Sequence, residues 1–359
     1  MTRLVISGYY GFGNAGDEAM LASMVRSFRS LDPGVGLTVL SADPGKTRAN
    51  HDVRAVGRLA FPRIVAALAS ADALVSGAGS LLQDVTSRRN LFYYLGLMRL
   101  AQALRKPVIV YANGIGPLRS SSGRRAVAEV LARARLITVR DRQSLAELES
   151  MGLTGILSAD PALAMTPPPP DRGREILEAY GLAQGGPLVV VAPRTFAGAS
   201  GATRAMAGAC DYLARTLRAR ILLVPMQSPG DDRAAAAIGE AMREPAAMLR
   251  GGLSPAELMS LVGESELLVG VRLHALIFAA VMGVPALGIA YDPKIPGFAA
   301  SIGLPALDPQ GLTMEDLLIN LESLLRDRIK IRQDLAVRVE KLREQAENSA
   351  RLTLERLGR

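Results

Sequence analysis

The stretch LLVGVRLHALIFAAVMGVPALGIAYDPK, running from Leu267 to Lys294, decides how the chain is read. Leu267 to Gly270 is apolar enough for a short buried strand. Leu273 to Met282 has the length of a helix of about two to three turns, closed by Gly283 and Pro285, and a second apolar strand and a loop follow. Strand, helix and strand make one βαβ unit. Arg272 and His274 fall where the first strand gives way to the helix, and Lys294 falls just past the second strand. In a parallel sheet both places lie beyond the carboxyl ends of strands, the edge on which open α/β sheets bind ligands. Two cations and an imidazole at a helix N-terminus, whose unpaired N–H groups and dipole already favour negative charge, predict an anion site. The plain alternatives are a structural ion pair for Arg272, a solvated loop for Lys294 and a core position for His274. The three read better together than singly, because one of only two histidines stands two residues from an arginine at a strand end. The other, His51, lies beside Asp52 in a polar loop and reads as a surface residue.

The same beat of strand, polar turn and helix extends outward in both directions. Before the central stretch, the apolar run Leu188 to Ala192 places Arg194 at a strand end, Ile221 to Pro225 is the next strand, and Ser254-Pro255-Ala256-Glu257 is a capping box with proline at the first helical position. At the start of the chain, Arg3 to Ser7 is a strand, Gly8 to Gly16 a glycine-rich loop, and Asp17 to Ser30 a helix. Gly11, Gly13 and Gly16 match G-x-G-x-x-G, and Asp43 follows the next strand, so a dinucleotide site has to be weighed. Asp17 and Glu18 occupy the first helical turn, where a pyrophosphate would sit, and their charge argues against it. That acidic pair is either complementarity to the helix dipole or a hydroxyl-binding and general-base site, with Asn14 and Asp17 brought near a ligand by the glycines.

Asp72 to Ser76 then runs into Gly77-Ala78-Gly79-Ser80, with Gln83 and Asp84 on the helix after it. Val108 to Ala112 runs into Asn113-Gly114-Ile115-Gly116-Pro117, and Leu136 to Val139 into Arg140-Asp141-Arg142. Strands that end in glycine or polar residues before a helical pattern predict a doubly wound parallel sheet. Asn113, Arg140 and Asp160 are then either rim residues of a ligand site or turn and cap residues.

With 359 residues the chain exceeds what one core fills, so two domains are expected. Thr166-Pro167-Pro168-Pro169-Pro170-Asp171 marks the boundary, because four prolines continue neither a helix nor a central strand. The expected division is 1–166, 172–306 and a charged helical segment, 307–359, broken near Asp327. The predicted fold class is α/β, two Rossmann-like doubly wound domains facing across a cleft, one wall suited to a polyol and the other to a compact anion.

A net charge of +8 and a pI near 9.9 favour anionic partners. Nucleic acid is the weakest of them, since the chain has no Trp, 4% aromatics and no basic run interleaved with stacking residues. The single cysteine, Cys210, sits in an alanine-rich helical pattern as a buried filler, and two histidines with one cysteine leave no basis for a His/Cys metal site. The chain enters a strand at Leu4 and has no apolar run near 18 residues, which predicts a cytoplasmic protein, free or peripheral to the membrane. The basic loop Arg119 to Arg125 reads as a mobile lid, a lipid-phosphate contact or plain disorder.

Taken together, Gly8 to Glu18, Gly77 to Asp84, Asn113 to Pro117, Val139-Arg140-Asp141, Gly270 to His274 and Tyr291 to Lys294 resemble the polysaccharide pyruvyltransferase family, most of all its CsaB branch. The likeness spans nearly all of the chain up to about Leu304 and rests on the spacing of several motifs. It implies a fold similar to the GT-B glycosyltransferases. It also implies transfer of the enolpyruvyl group of phosphoenolpyruvate to two hydroxyls of a sugar, commonly N-acetylmannosamine in a lipid-linked cell-wall polymer used for S-layer anchoring, giving a 4,6-ketal and phosphate. Phosphoenolpyruvate carries a carboxylate and a phosphate close together, and Arg194, Arg272, His274 and Lys294 are expected to bind it. Ketal formation needs an acid for the methylene carbon and a base for the hydroxyl, assigned to His274 and Asp17, with Arg272 beside them. Asn14, Asp17, Glu18, Gln83, Asn113 and Arg140 are expected on the acceptor. No cofactor or metal is expected, and the partners are phosphoenolpyruvate, a lipid-linked glycan and the inner membrane face. The rivals are a GT-B nucleotide-sugar glycosyltransferase, against which the acid-free helix Ala275 to Val284 counts, and a non-catalytic binding protein for anionic glycans.

Overall fold

The computed structural model describes residues 1–85, 87–169 and 171–358; Pro170, the last proline of the expected boundary, lies outside them, as do Thr86 and Arg359. The short apolar runs that precede glycine or polar turns become strands. The first sheet comprises β1 (Arg3–Ser7), β2 (Gly36–Ser41), β3 (Arg54–Gly57), β4 (Ala73–Ser76), β5 (Gly79–Leu82), β6 (Val108–Ile115), β7 (Leu136–Val139) and β8 (Ile156–Leu157). The second comprises β9 (Leu188–Ala192), β10 (Arg220–Leu223), β11 (Ala246–Met248), β12 (Leu267–Gly270), β13 (Ala286–Ile289) and β14 (Ala306–Leu307). Their orders are β3-β2-β1-β4-β6-β7-β8, with β5 beside β6, and β11-β10-β9-β12-β13-β14. All recorded pairings are parallel, with Ile6 opposite Val75 and Val190 opposite Leu268.

Parallel strands need helical crossovers, so both faces of each sheet are covered and the central strands are buried throughout rather than alternating. β9, for example, is buried along its whole length. The strand order reverses beside β1 and β4 in one sheet and beside β9 and β12 in the other, and a reversal opens a crevice at the carboxyl ends of the two strands. The fold is thus α/β with two Rossmann-like doubly wound units, of the GT-B type.

Unit 1 comprises Met1–Met165 with Lys341–Arg359, and unit 2 comprises Thr166–Glu340. Asp327 separates the helix Met314–Arg326 from the helix Arg328–Arg356. The latter begins in unit 2 and ends in unit 1, where Ser349 Oγ lies 2.7 Å from Ser158 Oγ and donates to Thr138 Oγ1 at 3.2 Å. Cys210 is buried as expected. No helix among the described residues is long and apolar enough to cross a membrane.

Four local expectations are corrected. Gly79–Leu82, read as a turn, is a strand, so Gln83 and Asp84 precede the helix Arg88–Ala103 instead of standing on it. β6 runs on to Ile115, which puts Asn113 inside a strand. A bulge in its pairing with β7 permits this: Ala112 adopts φ +44° and its N–H is taken by Thr138 Oγ1 at 2.7 Å. The basic segment after Arg119 starts the helix Ser121–Leu131; Ser120 caps it, and Asp84 accepts from Ser120 Oγ and from the N–H groups of Arg119 and Ser120. His51 closes the helix Pro44–His51 and is buried, not on the surface.

Candidate active site

In unit 2, Arg194 follows β9 and Arg272 follows β12, so the two guanidiniums leave adjacent strands at the switch point. Arg272 is the N-cap residue of the helix Leu273–Val281, and His274 stands in its first turn. Its guanidinium makes a two-pronged pair with Asp231, Nε to Oδ2 at 2.9 Å and Nη2 to Oδ1 at 2.6 Å, and Nη2 also donates to Gln227 Oε1 at 3.2 Å. The Asp231 side chain is 1% exposed. The structural ion pair weighed for Arg272 is therefore present. It fixes the guanidinium at the strand end without consuming all five of its donors.

Lys294 opens the helix Lys294–Ile302 and pairs with Asp292 at 3.2 Å, both side chains part-exposed. Arg194 is held differently. It donates to Tyr291 Oη at 2.5 Å and lies 4.9 Å from the centre of the same ring, which stacks on Phe196. Among the described residues no carboxylate pairs with it. Burial raises the Tyr291 phenol above its ordinary range, with Asp292 adding to the rise and Arg194 and Arg272 opposing it, so the hydroxyl stays protonated. Tyr291 thus feels Arg194, Arg272, Asp231 and Asp292 at once: the structure brings Arg194 and Arg272 together with Asp231, Gln227 and Tyr291, which sequence reasoning missed, while Lys294 is linked to them through Asp292 and His274 follows Arg272 on the helix.

In unit 1 the glycine loop after β1 folds inward around Tyr10, which is fully buried. A Cβ on Gly8 would lie 2.4 Å from its ring, and one on Gly77 would lie 2.3 Å from its hydroxyl oxygen. These glycines make room for the Tyr10 side chain. The helix N-terminus is also filled from within: Asn14 Oδ1 accepts from Gly16 and Asp17 N–H, and Glu18 Oε1 accepts from Gly11 N–H at 2.8 Å. Glu18 Oε2 lies 2.8 Å from His51 Nε2. The N–H groups of Gly11, Gly16 and Asp17 are thus taken by the Glu18 carboxylate and the Asn14 amide.

The other predicted acceptor residues gather at the same carboxyl edge, but several are tied into the protein. Asn113 is fully buried and its Nδ2 donates to Gly77 O at 2.7 Å. Arg140 is buried among Ser80 Oγ at 2.8 Å, Asp141 at 3.2 Å and Asp160 at 3.4 Å. Gln83 Oε1 accepts from Val85 N–H at 2.9 Å. Asp17, 8% exposed, lies close enough to Tyr10 and Tyr94 to help raise both phenols, whose main shift comes from burial. Unit 1 therefore offers a carboxylate at a helix start, with Glu18, Asn113 and Arg140 tied to other partners at that edge, and unit 2 offers two guanidiniums at adjacent strand ends. Among the described residues no group of three or more His, Cys, Asp or Glu side chains could hold a metal ion.

The family model described as polysaccharide pyruvyl transferase matches residues 14–293. No curated protein matches the chain significantly in sequence. Among solved structures it is similar to Anabaena HepE in complex with UDP and glucose (TM-score 0.69, 12% identity, 100% of each chain covered). It is also similar to UDP-GlcNAc 2-epimerase of Neisseria meningitidis bound to UDP-GlcNAc (0.66, 10%, 99% of each chain). A glycosyltransferase from Rickettsia africae is a third (0.66, 13%, 99% of this chain and 97% of that one). At such identities the likeness is one of fold.

Proposed function

This chain belongs to the polysaccharide pyruvyl transferase family, and from that premise we propose that it transfers the enolpyruvyl group of phosphoenolpyruvate to a sugar diol, forming a 4,6-O-pyruvyl ketal and releasing phosphate. The acceptor is N-acetylmannosamine of a lipid-linked cell-wall polymer precursor, the chemistry of the CsaB branch. In this reaction one hydroxyl proton ends on the methylene carbon, which becomes a methyl group. Both hydroxyl oxygens bond to the neighbouring carbon, and phosphate leaves with the second proton.

In this reading unit 2 takes the donor. Arg194, whose contacts are a neutral phenol and a ring face, meets one anionic group, and the remaining donors of Arg272 meet the other. Lys294, part-exposed with Asp292, exchanges that carboxylate for the ligand. His274 supplies the acid or activates the phosphate, and the helix start beneath Arg272 adds a favourable dipole. Asp17 acts as base for the acceptor hydroxyl, with Gln83 and Asn14 near it. Glu18, Asn113 and Arg140 hold that edge in shape. The chemistry uses protein cations and needs no metal.

The observation that supports this reading best is the pair of guanidiniums, Arg194 and Arg272, beside Tyr291 at the carboxyl edge, with Lys294 held on the neighbouring Asp292, in which Arg194 has no carboxylate partner among the described residues. The test is phosphate release from phosphoenolpyruvate with and without N-acetylmannosaminyl acceptors, in the presence of a chelator. Acceptor-dependent release is expected. Transfer from a nucleotide sugar with no release from phosphoenolpyruvate would replace this reading with a glycosyltransferase.

A further inference from the structure

Unit 1 exposes an apolar and basic surface beside its candidate acceptor residues. β3 ends at Gly57, and the turn after it leads into the helix Phe61–Ser70; here Leu59 is 81% and Phe61 62% exposed. The helix Arg88–Ala103 begins at the same edge of the sheet, where Val85 and Phe92 are exposed as well. The two segments touch, since Tyr93 Oη donates to Arg58 O at 2.8 Å and the Arg58 guanidinium lies 4.3 Å from the Tyr93 ring centre. Ile64 and Leu68 of one helix and Leu91, Leu95 and Met98 of the other belong to one core cluster, so both helices cover the same core. Single exposed apolar residues are ordinary; four at one edge call for a partner.

Arginine predominates around them, although Asp84, which accepts from Ser120 and Arg119, adjoins Val85. Residues 53–71 include Arg54, Arg58 and Arg63 and no carboxylate, and residues 85–128 include Arg88 and Arg89 and again no carboxylate. We propose that this edge of unit 1 docks on an anionic lipid bilayer, with Leu59 and Phe61 entering the interface and the arginines meeting lipid phosphates. A second copy of the chain suits it poorly, because a two-fold contact would set these arginines against themselves. A second basic surface of unit 1 is a cavity of about 1020 Å³ at the amino ends of the strands, lined by Arg99, Arg105, Arg133 and Arg135 together with Asp72 and Glu129. None of its lining residues is an exposed large apolar side chain, so it has charge without an anchor.

The test is co-sedimentation of the full chain with vesicles of phosphatidylcholine alone or mixed with phosphatidylglycerol. Binding to the mixed vesicles only, weakened by salt, is expected. The Leu59→Ser/Phe61→Ser variant should lose about tenfold or more in vesicle affinity with its melting temperature unchanged, as both side chains already face solvent. The Arg105→Glu/Arg133→Glu variant, changed at the opposite end, should bind like the parent. Equal binding to both vesicle types, binding to neither, or parent-like binding by the serine variant would overturn the proposal. So would a dimer in solution that the serine variant abolishes. No donor or acceptor enters this assay, so its failure leaves the pyruvyl transfer reading standing.

Discussion

Arg194 and Arg272 carry the same charge at adjacent strand ends, yet the structure predicts opposite consequences for losing them. Arg272→Ala would strand the Asp231 carboxylate, 1% exposed, without its cation. Removing one partner of a buried pair costs about 3–5 kcal/mol, so this variant should be strongly destabilised in urea as well as defective in donor binding. Exchanging both partners, Arg272→Met with Asp231→Leu, should recover most of the stability and none of the binding. Arg194→Ala loses only a phenol contact and ring stacking, so its stability should change by no more than about 1 kcal/mol while donor affinity in calorimetry falls roughly 30-fold or more. Parent-like donor binding by Arg194→Ala would place the donor elsewhere. His274→Ala should lose about 10²–10⁴-fold in turnover with a smaller change in affinity. Asp17→Asn should abolish transfer while leaving donor binding intact; a matching loss of donor binding would remove Asp17 from the acceptor role.

At the scale of elements, the glycine loop and the bracing of the 119–125 segment are where structure adds most to sequence. Gly77→Ala places a Cβ on the buried Tyr10 hydroxyl, and overpacking of this kind costs about 1–3 kcal/mol. Tyr10→Phe should relieve part of it, which thermal melts of the single and double variants would show. Asp84 gives a pH signature. Partial burial pushes its carboxyl up, but the Ser120 hydroxyl and the N–H groups of Arg119 and Ser120 outweigh that and hold it below the usual carboxylate range. A lowered folded-state pKa contributes stability above the unfolded value, near 3.9, and that contribution drains away as pH falls through the folded value. Asp84→Asn should therefore cost about 1 kcal/mol at neutral pH, allowing for its partial exposure, and nothing in strong acid. A gap that persisted at pH 2 would mean packing rather than charge is at work. What was legible follows from range. Arg3–Ser7, Leu136–Val139, the Ser254 capping box and the break at Asp327 are set by neighbours in sequence and were read correctly. Asp231 lies 41 residues from Arg272, and Glu18 lies 33 from His51. No local period announces such pairs, and the Gly79–Leu82 strand was hidden because its glycine start looks like a turn.

At the scale of the whole molecule, the end of the chain belongs to the unit that begins it. The helix Arg328–Arg356 leaves unit 2 at Glu340 and supplies unit 1 with the buried side chains Ala346, Ser349, Ala350, Thr353 and Leu354. Ser349 completes a hydroxyl chain with Ser158 and Thr138, and Thr138 in turn satisfies the N–H of Ala112 at the β6 bulge beside Asn113. The last turns of the chain therefore help hold the strand that carries a candidate acceptor residue, although every predicted site residue of unit 1 lies before Met165. Truncation after Glu340 should uncover that apolar stripe and leave the Ser158 and Thr138 hydroxyls without their partner. Loss of one buried Leu alone is worth about 1.5–3 kcal/mol, and the hydroxyl contacts add about 1 kcal/mol each. Unit 1 should consequently melt first in the truncated chain, seen in calorimetry as a separate early transition and in proteolysis as cleavage within residues 1–165. Unit 2 should keep its donor affinity, since Arg194, Asp231, Arg272 and Lys294 are untouched. A single unshifted transition in the truncated chain would show that the terminal helix is dispensable to unit 1.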